Sequence, residues 1–89
     1  MGPLPLGKVV ATPGALKLLI EAGEDPFDYL ARHATGDWGD LCTFDRRQNE
    51  IALREEARVF SSYNTPAGKV WVITEADRSI TTILLPEEY

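Results

Sequence analysis

The only histidine of the chain, His33, stands within ten residues of Asp37, Asp40 and the only cysteine, Cys42. Cysteine, histidine and aspartate are the parts of a nucleophilic centre, provided that a cleft poises the thiol as a thiolate beside its base. Here the three share a helix end and a loop, and nearness along the chain builds no such cleft, so the reading assigns no catalytic residue. At a helix C-terminus, the ordinary task of His33 is to meet the free carbonyls and the negative end of the dipole. Cys42 reads as a small filler.

Asp37 and Asp40 form a second constellation. With Glu75 and Asp77 from the last hairpin they would make a carboxylate site for a divalent cation, the centre of a small hydrolase or nuclease. Such centres usually add a Lys or His, whereas Lys69 lies at the opposite end of its strand from Glu75, about 20 Å away at strand rise. In loops, Asp side chains ordinarily bond nearby backbone N–H groups, and the sequence assigns neither metal nor cofactor. Trp38 sits between two aspartates and two glycines in Gly36-Asp37-Trp38-Gly39-Asp40. Such a ring either anchors its own loop or meets a partner, with Asp37 and Asp40 as its rim. Arg32, His33, Asp37, Trp38 and Asp40 are therefore the candidate binding surface, because they carry more aromatic and polar character than a short connection requires.

The elements that position these residues follow a plain grammar. Residues 1–7 hold two prolines and two glycines and read as a flexible arm, followed by a possible short strand at Lys8-Val9-Val10-Ala11. Thr12-Pro13 opens a helix that Gly23 closes, with Leu16, Leu19 and Ile20 as its buried face. Asp25-Pro26 opens a second helix that ends at Gly36, with Phe27, Leu30, Ala31 and Ala34 on its stripe. Thr43 caps a third, running to about Glu55, with Arg46–Glu50 and Glu50–Arg54 as i,i+4 pairs on its exposed side. From Val59 the period changes to two: Val59–Tyr63, Val70–Thr74 and Ile80–Leu85 are rich in β-branched and aromatic residues and are separated by short turns. Val70 and Val72 on one face and Trp71 and Ile73 on the other make the central strand apolar on both sides, as core. The expected fold is α+β: three N-terminal helices packed on a three-stranded antiparallel β-meander, with the short N-terminal strand as an option.

Composition sets the outer bounds. Eighty-nine residues make one domain, and 44% hydrophobic with 26% charged residues is the balance of a folding chain. Nine basic against fourteen acidic residues give a net charge of −5. Seven acids face three bases in residues 1–45, and seven face six in residues 46–89. That distribution lacks the basic stripe by which proteins displace counterions from DNA, so direct DNA binding is not expected. One cysteine excludes an internal disulfide. Without a signal-peptide pattern or a membrane-length apolar run, the expected location is cytoplasmic, with no membrane partner. Glycine-rich phosphate loops, zinc-ligand spacings and nucleophile elbows are absent from the sequence.

The stretches Leu6–Leu16, Leu30-Ala31-Arg32-His33, Gly36-Asp37-Trp38-Gly39-Asp40-Leu41, Val70–Ser79 and Thr81–Pro86 resemble a family of small bacterial plasmid and integrative-element proteins, over nearly the whole chain. Its members are labelled plasmid-related protein, hypothetical protein or type I restriction endonuclease subunit M. The glycine-rich motif and the Asn-Pro-Pro-Tyr-like loop of a methyltransferase subunit are both missing here, and 89 residues leave no room for that fold. Where Cys42 stands, the family favours an acid. The resemblance implies a mobile-element accessory protein that acts by binding another macromolecule, a protein in first place, and accompanies or interferes with a host defence or restriction system. The alternative is a small metal-dependent hydrolase or nuclease built on the Asp37 and Asp40 loop. A third reading is a nucleic-acid-binding regulator using Arg46, Arg47, Arg54 and Arg58, partly matched by Glu50, Glu55 and Glu56.

Overall fold

A computed structural model describes residues 2–89. The chain is α+β, and its elements run β1 (Lys8–Ala11), α1 (Pro13–Ala22), α2 (Pro26–Ala34), α3 (Thr43–Glu55), β2 (Val59–Thr65), β3 (Gly68–Thr74) and β4 (Ile80–Leu84), with a final 3-10 turn at Pro86–Glu88. β2, β3 and β4 form the expected antiparallel meander. The sheet nevertheless has four strands in the order β1-β4-β3-β2 and is mixed, because β1 pairs in parallel with β4, Lys8 opposite Ile80 and Ala11 opposite Ile83. Sequence periodicity offers the short β1 no partner. The parallel pairing comes from the return of the chain after three helices and two hairpins.

Local rules set the helix starts. The Thr12 hydroxyl accepts from the Ala15 N–H at 3.1 Å and the Asp25 carboxylate from the Phe27 N–H at 2.9 Å, with Pro at the head of each helix. α3 departs from expectation: Cys42, exposed at the surface, is its N-cap and makes no side-chain cap bond, while Thr43 is the first helical residue. At the end of α2, Thr35 provides the cap, its hydroxyl donating to the Ala31 carbonyl at 2.8 Å.

The buried faces differ from the periodic reading. α1 buries Ala15 and Leu19, and Ile20 is left 77% exposed. The stripe 15-19 brings the small Ala15 against the sheet, so the backbone can approach closely, which a Leu16–Ile20 face would prevent. α2 buries Tyr29, Leu30 and His33, while Phe27 is 73% exposed and Ala31 lies outside. Two large amphipathic rings whose polar ends find partners bury more area than two alanines. Together α1 and α2 cover the sheet face that carries Tyr63, Val70, Val72 and Ile83. α3 closes the β2 edge, packing Ala52 on Val59 beside Trp38, Leu41 and Leu4. The opposite sheet face carries Phe60, Trp71 and Ile73. Trp71 is only half-buried there, so it is not the enclosed core residue that the strand pattern implies.

The N-terminal arm is anchored over part of its length. Leu4 is buried, and its N–H donates to the Ala34 carbonyl at 2.8 Å, which fixes the arm against the end of α2. Two apolar leucines in a proline-rich segment outweigh its local freedom, because they complete a core that α3 leaves open.

An edge strand needs cover, and β2 has two kinds. The Asn49 side chain of α3 donates to the Phe60 carbonyl at 2.6 Å and accepts from the Phe60 N–H at 3.1 Å. Farther along, the Ser62 N–H donates to the Trp38 carbonyl and the Asp40 N–H to the Ser62 carbonyl, so residues 38–40 form a one-bridge extension of the sheet. Gly39 lies at φ 72° with the place of a Cβ 2.1 Å from the Ser62 carbonyl oxygen, whereas Gly23, also left-handed, has open space there. Gly39→Ala should therefore cost about 3 kcal/mol or more and Gly23→Ala only about 1 kcal/mol, measured by urea unfolding. Equal losses would overturn this account of the β2 edge.

Candidate functional site

His33 leaves the helix end and enters the core. It is 0% exposed, as are Ser61, Thr74 and Thr81 around it. Nδ1 lies 2.5 Å from Ser61 Oγ, Nε2 lies 2.9 Å from Thr74 Oγ1, and Thr74 Oγ1 lies 2.7 Å from Thr81 Oγ1. Thr81 Oγ1 then donates to the Leu6 carbonyl at 2.7 Å. A carbonyl only accepts, and that fixes every proton upstream: Thr74 donates to Thr81, His33 donates from Nε2 to Thr74, and Ser61 donates to Nδ1. One polarised chain of hydrogen bonds crosses β2, β3 and β4 and ends on the arm. The sheet register builds it, since Thr74 sits opposite Thr81 and Ser61 lies diagonal to Thr74, two residues along β2 from Thr74's partner Val59. Burial, with a smaller push from the Arg78 charge, lowers the His33 pKa to about 4.

A serine donating to a neutral imidazole has the geometry of a nucleophile and its base. Here the pair carries no reaction, because no atom of either residue reaches solvent and the third member is a hydroxyl, which cannot stabilise an imidazolium as a carboxylate does. The arrangement is structural. Its trace in the sequence is a polar residue at three inward strand positions, with a lone histidine four residues after Tyr29 and three after Leu30 on the buried helix stripe.

The loop candidates divide. Trp38 is 3% exposed, edge-on to His33 at 5.8 Å, with its indole N–H donating to Glu50 at 3.3 Å. It is the loop anchor, and neither it nor His33 can be a contact residue on this surface. Arg32, Asp37 and Asp40 are exposed but paired: Arg32 Nε lies 2.6 Å from Asp37, and Lys69 Nζ lies 2.9 Å from Asp40. The Arg32 guanidinium holds the Asp37 carboxyl below the usual range, and Lys69 does the same for Asp40. Arg32 also lies over the Tyr63 ring at 4.6 Å, while the Tyr63 hydroxyl donates to the Asp37 carbonyl at 2.7 Å; burial pushes its pKa up to about 12. Polarity in this loop thus serves to seat Trp38 and dress the β2 edge.

The other acids do not join them. Glu75 pairs with Arg58, and Asp77 accepts from the Ser79 N–H in its own turn. Among the described residues no group of three or more His, Cys, Asp or Glu is placed to hold a metal ion. The arginines are also divided: Arg46 donates to the Leu41 and Gly39 carbonyls, not to Glu50, and Arg58 donates to the Tyr89 hydroxyl and Glu75. No described helix is long and apolar enough to cross a membrane.

The surface that sequence reasoning missed is the open sheet face. Phe60 and Trp71 meet edge-to-face at 4.8 Å, and Trp71 meets Tyr89 at 5.7 Å, giving three rings in series over Ile73. With Arg58 they line a groove of about 280 Å³. Tyr89 is 65% exposed. The available signal was Trp71 and Ile73 alternating with Val70 and Val72, which shows that both strand faces are apolar and says nothing of whether three helices can cover both. Comparison with known proteins finds no matching family model, curated relative or solved structure.

Two measurements test this assignment. Trp38→Ala should lower stability by about 3–5 kcal/mol, the loss of a buried aromatic ring; an unchanged melting temperature would return Trp38 to the surface. The unfolded chain binds the His33 proton near pH 6.5 and the folded chain only near 4. Stability from this group is therefore complete above pH 6.5 and declines as pH falls toward 4, by about 3 kcal/mol. Urea unfolding followed from pH 7.5 to 4, with the His33 ring signals followed by NMR, checks both the sign and the range.

Proposed function

We propose that this protein acts without turnover, by binding another protein through the open face of its sheet around Trp71. The observation that supports this reading is the row Phe60–Trp71–Tyr89, three rings in contact on the sheet face opposite α1 and α2, with Phe60 and Trp71 half-buried and Tyr89 exposed. Aromatic rings with polar ends are the residues that most often dominate binding energy, and Arg58 and Glu75 supply a polar rim beside them. A net charge of −5 gives no general attraction to nucleic acid. The resemblance to plasmid and integrative-element proteins adds the setting: an accessory protein whose partner belongs to the host, with a component of a defence or restriction system as the expected class.

Tyr89→Ala removes an exposed ring and should leave the melting temperature within a few degrees. The same change should cost about 2 kcal/mol or more of affinity for a partner co-purified from the host. Full retention of that partner by Tyr89→Ala would reject this face. Salt-sensitive micromolar binding to DNA would reject the protein partner in favour of nucleic acid.

A further inference from the structure

The sheet has two edges, and only one of them is dressed. β2 is covered by the Asn49 amide and by residues 38–40, whereas β1, at the other end of the order β1-β4-β3-β2, pairs on its inner side alone. The Lys8 and Thr12 N–H groups donate inward, to the Ser79 and Ile83 carbonyls. Backbone direction alternates along a strand, so the N–H and C=O groups of Val9 and Ala11 point outward. Among the described residues nothing pairs with them. Unpaired strand groups at an edge are complementary to another extended chain.

Lys8 narrows the choice of that chain. A lysine on an edge strand ordinarily discourages pairing, and it permits pairing only where a carboxylate stands opposite. β1 carries such a carboxylate at its own far end. The Thr12 hydroxyl donates to Glu88 Oε1 at 2.6 Å, and the same oxygen accepts the Leu85 N–H at 2.8 Å, which leaves Oε2 for a cation. Neither Lys8 nor Glu88 takes part in an ion pair among the described residues. A strand with a cation at its start and a held carboxylate at its end is complementary to itself turned round.

We infer that β1 pairs antiparallel with β1 of a second copy of this chain, about a two-fold axis through Val10, and so joins two four-stranded sheets into one. The backbone selects this register. Val9 lies opposite Ala11 of the second copy and Ala11 opposite its Val9, and each such pair exchanges two hydrogen bonds. An axis through Ala11 would set Val9 against Pro13, which has no N–H, and an axis through Val9 would set Ala11 against Gly7, whose left-handed backbone at φ 64° leaves the strand. In the register through Val10, Lys8 lies opposite Thr12 of the second copy with both side chains on one face, so its ammonium meets the Glu88 carboxylate held there, twice by symmetry. The exposed Val9 gains the small Ala11 of the second copy as its neighbour. The inference goes beyond the open-face reading and stands or falls apart from it.

The test is sedimentation equilibrium of the full chain over about 10 μM to 1 mM, with NMR of a mixture of ¹³C-labelled and unlabelled chain. The average mass should rise with concentration from one chain toward two. An intermolecular contact between the Lys8 and Thr12 Hα protons should appear in the mixture; within one chain the two lie about 13 Å apart at strand rise, too far to give it. Lys8→Glu, an exposed change that leaves every backbone bond in place, should weaken the dimer at least about tenfold at unchanged melting temperature, and Lys8→Glu with Glu88→Lys should recover it. A constant single-chain mass to the top of the range would overturn the inference, as would a dimer indifferent to Lys8→Glu. Intermolecular contacts confined to Phe60, Trp71 and Tyr89 would overturn it in favour of self-association through the open sheet face. Protection of the Val9 and Ala11 amides from exchange only when a host protein is bound would replace the second copy by a strand of that partner.

Discussion

The fold depends on one line of hydrogen bonds, from Ser61 through His33, Thr74 and Thr81 to the Leu6 carbonyl. Four wholly buried polar side chains are costly to desolvate, and each link is tolerable only because the next one is made. The line therefore ties together α2 above the sheet, the three strands of the meander beneath it, and the arm at its end. A slip of β4 by one residue would turn Thr81 outward and leave the Thr74 hydroxyl without its acceptor. Apolar contacts alone would not punish that slip so severely.

Around this line the molecule is organised by edges. β2 is covered by the Asn49 amide and by residues 38–40, and the loop that does this is held by Trp38 inside, Arg46 on its carbonyls, and Lys69 on Asp40. The α3 end is capped by Arg78, which itself adopts a left-handed backbone at φ 62°. A non-glycine residue in that conformation is held by its surroundings, and three carbonyl contacts supply the hold. The features that first suggested chemistry, a histidine, two aspartates and a tryptophan in one short stretch, are the parts of this edge and its support.

Function is then left to what the fold does not use. Three helices cover one sheet face and one edge, and the second face shows aromatic rings that no helix ring-stacks against.

Most of the local structure was legible in the sequence. Thr12-Pro13 and Asp25-Pro26 fix two helix starts, Gly23 fixes an end, and the β-branched runs with their short turns dictate an antiparallel meander, because all of these act over a few residues and admit few solutions. Which face each helix buries was not legible. α1 offers two overlapping stripes and α2 a choice between alanines and amphipathic rings, and only the sheet beneath decides how close a backbone may come and which polar tip finds a partner. The parallel pairing of β1 with β4, the burial of His33 and Trp38, and the exposure of Phe60, Trp71 and Tyr89 are likewise tertiary outcomes. Each depends on contacts between residues tens of positions apart, where periodicity along the chain carries no information and the cost of an unpaired buried polar group selects the arrangement.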